Sequence, residues 1–308
     1  MIKQWLRKNP ATFLLVNIYH YFKGKWHIGK YTDEQAITRY YLMKSGQIPD
    51  LNNPTKFSEK LQWLKLHDRD PLKVQCADKF LVREYVVKCG YEHLLNTLYG
   101  VYETTSQINI DELPDKFVLK ATHGSGWNLI VKDKRTINWF LWRLIMRVWL
   151  KQNIYWSGRE WVYKNPQPRI IAEKYLEDET GELRDYKFYC FNGEPRFMQL
   201  EVGRHSGTNT RNFYDMGWKL MPFGKEIPHN SQVDVPRPNA FDEMKLIAKA
   251  LSKPFSYVRV DLYQVYGKVF FGELTFFPAG GAPDFIPACY DEIVGNYLSL
   301  GVKELDAT

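Results

Sequence analysis

The chain has 308 residues, 44% hydrophobic and 25% charged, enough for a sizeable core in one large lobe or two to three smaller ones. Its four cysteines, Cys76, Cys89, Cys190 and Cys289, stand far apart with no Cys-x-x-Cys pair and no histidine at ligand spacing; this excludes a zinc site or disulfide framework as the organising feature and fits a reducing cytoplasm. A net charge of +7 points to anionic partners, but the basic residues are dispersed and no helix-turn-helix, zinc-finger or RNA-recognition motif is present, so nucleic acid is not expected among them.

At the start, Lys3, Arg7 and Lys8 precede an apolar run over residues 11–19, and Lys23 and Lys25 follow it. The run is too short to span a bilayer and lacks a small-residue cleavage site. It predicts an N-terminal helix, either packed or resting on a membrane surface through its basic and aromatic residues. Residues 1–95 read as mainly helical. Thr32-Asp-Glu-Gln35 resembles a helix start, residues 53–59 lead into the apolar-periodic stretch 60–66, and 78–87 continues in that manner. After Leu113 and Pro114 the texture changes to β: a strand over Phe117 to Lys120, a glycine-bearing turn from His123 to Gly126, and a second strand over Asn128 to Lys132. Residues 136–151 predict an apolar helix with Arg143, Arg147 and Lys151 in one basic stripe, read as buried over most of its circumference rather than membrane-bound. Strands follow at 169–173, 185–191 and 196–200, the last two joined by the hairpin signal Asn192-Gly193. Residues 202–238 read as a long irregular excursion, and 240–251 as a helix.

The segment richest in chemistry is Tyr257 to Phe277, which reads as a hairpin turning near Gly267. A three-residue loop there sets Asp261 opposite Glu273, with Arg259 and Thr275 on the same face. Opposed carboxylates repel unless a cation lies between them. Mg²⁺ held by oxygen ligands, with a guanidinium for phosphate oxygens, is one solution; a solvated face of alternating charge is the other. Lys120 closes an apolar strand just before His123-Gly-Ser-Gly126, whose backbone N–H groups suit phosphates while Lys120 supplies a point charge; no Walker pattern is present, and a loop histidine is more often structural than catalytic. Glu173, Lys174, Tyr175 and Leu176 end a strand and offer the extended edge that a nucleotide base needs. Lys187, within an aromatic strand, needs an anionic partner, either Asp185 or a phosphate.

Taken in order, Lys120 with His123, Gly124, Ser125 and Gly126, then Glu173-Lys-Tyr-Leu176, Lys187, Arg259-Val-Asp261 and Glu273-Leu-Thr275 resemble the ATP-grasp superfamily. In that family a strand lysine and glycine loop cover phosphates, a Glu-Lys-x-Leu hinge holds adenine, a second lysine contacts phosphate, and an Arg-x-Asp strand pairs with a Glu-x-Asn strand to bind Mg²⁺. Thr275 stands where asparagine is usual, so one Mg²⁺ is implied more firmly than two. The stretches Asn53 to Leu66, Ala77 to Val86 and Gly272 to Gly281 make the chain most similar to the TupA-like proteins, named for teichuronopeptide biosynthesis.

The resemblance implies an α+β ATP-grasp fold, two α+β lobes with nucleotide between them, behind a mainly helical N-terminal region: residues 1–95 helical, 96–180 the small lobe with loop and hinge, 181–308 the large lobe with the Mg²⁺ and phosphate site. It implies a cytoplasmic, ADP-forming carboxylate–amine ligase of capsule or O-antigen biosynthesis that uses ATP and Mg²⁺. Such an enzyme joins an amino acid or other small amine to a uronic-acid carboxylate of a surface polysaccharide or its precursor. Lys187 and Arg259 are then the catalytic cations, Asp261, Glu273 and Thr275 the metal site, and Arg204, His205 and Arg211 the contacts for an anionic acceptor. The rival class is a glycosyltransferase, supported only by Asp68-Arg-Asp70 as an Asp-x-Asp match at a helix end; a third is a glycan- or membrane-binding module without turnover.

Overall fold

The computed structural model describes residues 9–179, 181, 183–202, 210–227, 229–233 and 235–301. The chain forms two compact units, Met1–Ile37 with Arg69–Glu177, and Thr38–Asp68 with Asp178–Thr308. Residues 1–95 are therefore not a unit of their own. Helix α1 (Pro10–Lys30) belongs to the first unit, α2 (Asp33–Ser45) passes from one unit to the other, and α3 (Phe57–His67) belongs to the second. The reason is side-chain packing. Phe57 of α3 meets the rings of Phe191 and Tyr257 at 5.6 and 5.0 Å, and the Ser58 N–H donates to Asp291 Oδ1 at 2.9 Å. Thr32 and Gln35 cap α2 reciprocally, as their spacing predicts.

In the first unit, α4 (Pro71–Ala77) and α5 (Val82–Lys88) precede a four-stranded antiparallel sheet of β1 (Leu98–Tyr102), β2 (Phe117–Ala121), β3 (Asn128–Val131) and β4 (Ile170–Lys174), in the order β1-β4-β2-β3. Helix α6 (Trp139–Lys151) covers one face. Trp142, Ile145, Met146 and Trp149 recur at helical spacing and are buried with Phe117, Leu119, Ile170 and Ala172. At about 2 kcal/mol per large apolar side chain, this face alone fixes the helix on the sheet. The basic stripe is used internally: Arg143 donates to the Thr105 and Ile108 carbonyls at 2.6 and 3.0 Å, and Arg147 to the Thr105 hydroxyl at 3.2 Å. The buried-helix reading of 136–151 holds. A short helix, α7 (Tyr155–Gly158), follows.

The second unit is built on a five-stranded antiparallel sheet of β5 (Asp185–Phe191), β6 (Glu194–Val202), β7 (Thr210–Asp215), β9 (Tyr257–Val265) and β10 (Lys268–Thr275), in the order β10-β9-β5-β6-β7. Asn192 and Gly193 take the left-handed turn that their sequence predicts, φ 50° and 77°. The expected irregular excursion in fact holds β7 and the short β8 (Gly224–Lys225), which pairs with β11 (Phe285–Ile286). Helix α8 (Phe241–Ser252) lies on the face carrying Phe188 and Cys190: Phe188 stacks on Phe241 at 5.9 Å, and the Cys190 thiol approaches the Ala248 carbonyl at 3.9 Å. The last helix is α9 (Tyr290–Gly295). All four cysteines are free thiols.

Candidate functional site

The face of the second sheet turned away from α8 carries Asp185, Lys187 and Tyr189 on β5, Arg259 and Asp261 on β9, and Glu273 and Thr275 on β10, because strand residues two apart share a face and register partners share it across the ladder. Asp261 stands opposite Glu273 as expected, by a different route. The turn has two residues, Tyr266 and Gly267, both left-handed at φ 48° and 77°, and a bulge between Phe271 and Glu273 restores the register. Gly272 is required there, since a Cβ would lie 2.8 Å from the Asp261 carbonyl oxygen.

The side chains form one network, buried at Asp185, Lys187 and Asp261 and partly exposed at Glu273. Arg259 donates to both oxygens of Asp261 at 2.7 Å and to the Thr275 hydroxyl at 3.2 Å, and stands 3.5 Å from Glu273 Oε1. Thr275 donates to the same Glu273 oxygen at 3.2 Å. Lys187 donates to Asp261 Oδ2 at 2.8 Å and to Asp185. Of the two partners open to Lys187 in sequence, Asp185 is in contact with it, joined by Asp261. Burial alone would pull the Lys187 ammonium below its usual pKa; the carboxylates of Asp185 and Asp261 outweigh it and hold it above. Burial opposes the Arg259 charge in the same way, and Asp261 reverses the effect, so Arg259 stays a cation. Arg259 thus places one cation of the chain itself against both opposed carboxylates.

Whether a magnesium ion fits is a question of free oxygens. Asp261 is 1% exposed with both oxygens engaged, whereas the Glu273 side chain is 32% exposed and meets Arg259 and Thr275 through Oε1. Among the described residues no group of three or more His, Cys, Asp or Glu side chains is placed to hold a metal. The pair suits Mg²⁺ only in its usual form, one or two carboxylates with the remaining oxygens from phosphates and water.

On the same sheet face the polar band continues through Gln199, which accepts from the Tyr189 hydroxyl at 2.8 Å, to Glu201 and Arg211. Arg211 is held by Glu201 at 2.9 Å, Glu226 at 2.7 Å and the Lys225 carbonyl at 3.0 Å. Its charge thus lies between two carboxylates, Glu201 and Glu226. Arg204 and His205 lie outside the described residues.

In the first unit, Lys120 points from the sheet face opposite α6 and donates to Glu173 Oε2 at 2.7 Å, with Arg83 of α5 at 3.6 Å from the other carboxylate oxygen. Lys79, one helical turn before Arg83, donates its ammonium to the Gly124 carbonyl at 2.6 Å. Sequence reasoning missed both cations, although they sit at i, i+4 in the stretch from Ala77 to Val86. Ser125 and Gly126 are exposed at the loop tip, Gly126 at φ 76°. Gly124 has no room for a side chain, because a Cβ would sit 2.4 Å from the Trp127 ring. The His123 side chain takes the structural role that a loop histidine more often has. It is 1% exposed, its Nε2 lies 3.1 Å from the Trp149 carbonyl, and burial pushes its pKa down. The ring belongs to the core. At the strand end, Lys174 spends its own N–H on the Thr97 carbonyl and its carbonyl on the Asn96 amide, at 2.9 and 2.8 Å. Asp70, of the rival metal motif, caps α4 by accepting from the Leu72 N–H at 2.9 Å.

No curated protein sequence matches the chain. Among solved structures it is similar to a D-alanine–D-alanine ligase from Bacillus anthracis complexed with ATP, at 15% identity over 66% of this chain and 55% of that one with a TM-score of 0.38. A D-alanine–D-alanine ligase from Helicobacter pylori matches at 12% identity over 79% and 67% with a TM-score of 0.41. An L-amino acid ligase from Bacillus licheniformis matches at 12% identity over 73% and 49% with a TM-score of 0.39. The chain spans a little over half the length of the Bacillus anthracis enzyme. The model of the TupA-like ATP-grasp family matches residues 59–299, a span that holds Lys120, Glu173, Lys187 and the whole of the Arg259 network. The chain has the ATP-grasp fold and belongs to the TupA-like ATP-grasp family.

Proposed function

We propose that the protein is an ATP-dependent carboxylate–amine ligase that joins an amino acid or other small amine to a uronic-acid carboxylate of a bacterial surface polysaccharide or its precursor. The observation that carries this reading is the row of Lys187, Asp261, Arg259, Glu273 and Thr275 across β5, β9 and β10 in a chain of this family. A row of matched charges on a sheet face costs desolvation that an apolar structural face would avoid. The reaction needs cations at the transferred phosphoryl group, and Lys187 and Arg259 are fixed as such by burial among carboxylates.

In this reading a carboxylate oxygen of the acceptor attacks the γ-phosphorus of ATP, ADP departs, and the amine displaces phosphate from the acyl phosphate. Lys120 and the exposed tip of the glycine loop contact phosphate oxygens, Lys187 neutralises charge on them, and Arg259 orients the acyl phosphate. Tyr175 and Leu176 present the edge for the base. Mg²⁺, held through Glu273 and Asp261 beside Thr275, would supply charge neutralisation at the phosphates. When the phosphates arrive, Lys187 and Arg259 exchange part of their hold on Asp261 for them, which releases Asp261 oxygens. The net charge of +7 matches an anionic acceptor.

Thermal stabilisation by nucleotide is the test. Mg²⁺ with ATP should raise the melting temperature, by the equivalent of about 2.7 kcal/mol at a hundredfold excess over Kd, while UDP-sugars should not. Stabilisation by a UDP-sugar in place of ATP would replace the ligase with a glycosyltransferase.

A further inference from the structure

Helix α1 has two apolar sides. Phe13, Asn17, Tyr21 and Gly24 face the protein: Phe13 packs on Trp142 at 5.8 Å, Asn17 accepts from the Trp149 indole at 3.0 Å, Tyr21 meets the Trp156 ring at 5.8 Å, and a Cβ at Gly24 would lie 3.1 Å from that ring. At 3.6 residues per turn, Leu15, Tyr19, Phe22 and Trp26 fall within about 60° of arc on the opposite side. They are 67%, 59%, 64% and 60% exposed. Large apolar side chains in an unbroken exposed row of this kind mark an interaction surface.

Charge identifies what covers it. The first 32 residues contain Lys3, Arg7, Lys8, Lys23, Lys25 and Lys30 and no Asp or Glu. On the helix, Lys23 and Lys30 flank the row on one side and Lys25 on the other. Lys23 lies 5.7 Å from the centroid of the Tyr19 ring and Lys30 4.4 Å from that of Trp26. An apolar row of Leu, Tyr, Phe and Trp with lysines on both edges suits an interface where hydrocarbon meets anionic head groups. A second copy of this chain would set these lysines against each other. No described helix is long and apolar enough to cross a membrane, so the mode is lying on the surface. The helix also lies outside the stretch matched by the family model.

We infer that α1 docks the protein on a membrane surface containing anionic phospholipid, with Leu15, Tyr19, Phe22 and Trp26 inserted and the flanking lysines at the head groups. The inference is independent of the proposed reaction, and its readout is binding alone. Full-length protein is sedimented with vesicles of phosphatidylcholine, with and without phosphatidylglycerol. The wild type should partition onto the anionic vesicles and not the neutral ones, and less so as salt rises. Phe22→Ser with Trp26→Ser should abolish partitioning at an unchanged melting temperature. Lys23→Gln with Lys25→Gln should lower it more than about tenfold, at about fivefold per lysine. Failure of the wild type to bind anionic vesicles, equal binding to both vesicle types, or binding unchanged in both variants would overturn the inference. So would concentration-dependent dimerisation that the Phe22 and Trp26 substitutions remove in the absence of vesicle binding, which would assign the row to a second copy.

Discussion

Asp261→Asn separates the two roles that the network combines. The carboxylate is 1% exposed and receives Arg259 Nε and Nη2 at 2.7 Å each and Lys187 at 2.8 Å. An amide of the same shape keeps one acceptor oxygen, but its NH₂ then faces a donor, and two buried cations are left with Asp185 and Glu273 as their nearest anions. Removing one partner of such a buried pair costs about 3–5 kcal/mol, on the order of 10 °C in melting temperature for a unit of this size. Glu273→Gln in the opposing strand is the internal control. Glu273 is 32% exposed, 3.5 Å from Arg259, and solvent screens it, so the loss should stay below about 1 kcal/mol. Both proteins are compared by thermal and urea unfolding without nucleotide or Mg²⁺, then by Mg²⁺-dependent ADP formation. Asp261→Asn should be markedly destabilised and inactive; Glu273→Gln should be as stable as wild type and inactive. A melting temperature for Asp261→Asn within a degree or so of wild type would refute the energetic assignment. Full activity of Glu273→Gln would remove the hairpin carboxylates from the metal site.

Three further outcomes follow from the geometry. Lys120→Ala should weaken ATP binding at least tenfold, as expected for a lost charge-assisted contact of about 1.5–3 kcal/mol, and should also lower the melting temperature, because its partner Glu173 is largely buried; calorimetric titration of ATP reads the first and melting the second. His123 is buried and its folded-state pKa lies below the ordinary 6.5, so the unfolded chain binds its proton first. Stability is then complete above about pH 6.5 and falls as pH drops below it, a slope that His123→Asn should remove from urea unfolding curves. Gly281→Ala should cost about 2–3 kcal/mol in the same assay, because Gly281 is left-handed at φ 69° and a Cβ would lie 2.7 Å from the Gln62 amide that donates to the Gly280 and Gly281 carbonyls.

The hairpin that carries the site was legible in sequence because its alternation and Gly267 constrain the pairing strongly. The two-residue turn and the bulge were not, since a turn one residue longer gives the same register. Opposed carboxylates call for a cation whether an ion or a guanidinium, and that Arg259 reaches both is visible only in side-chain distances. Strand β7 was hidden because Thr210 to Asp215 is bordered by Gly, Asn, His and Pro, the residues that mark loops. Strand β1 was missed because Gly100 interrupts it at a bulge. His123 looked like a loop residue, yet its ring turns inward to the end of α6, a long-range contact with no local signal. The allocation of α3 to the second unit is equally non-local, since Phe57 and Ser58 find their partners more than 130 residues away.

The proposed chemistry is tested most directly by the fate of one oxygen atom. A glucuronate- or galacturonate-bearing oligosaccharide labelled with ¹⁸O in its carboxylate is incubated with the protein, MgATP and a mixture of amino acids, and the released phosphate is examined by mass spectrometry. Attack of the carboxylate on the γ-phosphorus followed by displacement by an amine predicts ADP, an amide-linked product, and phosphate carrying one ¹⁸O atom per turnover. Release of unlabelled phosphate, or formation of AMP and pyrophosphate, would contradict an acyl-phosphate ligase.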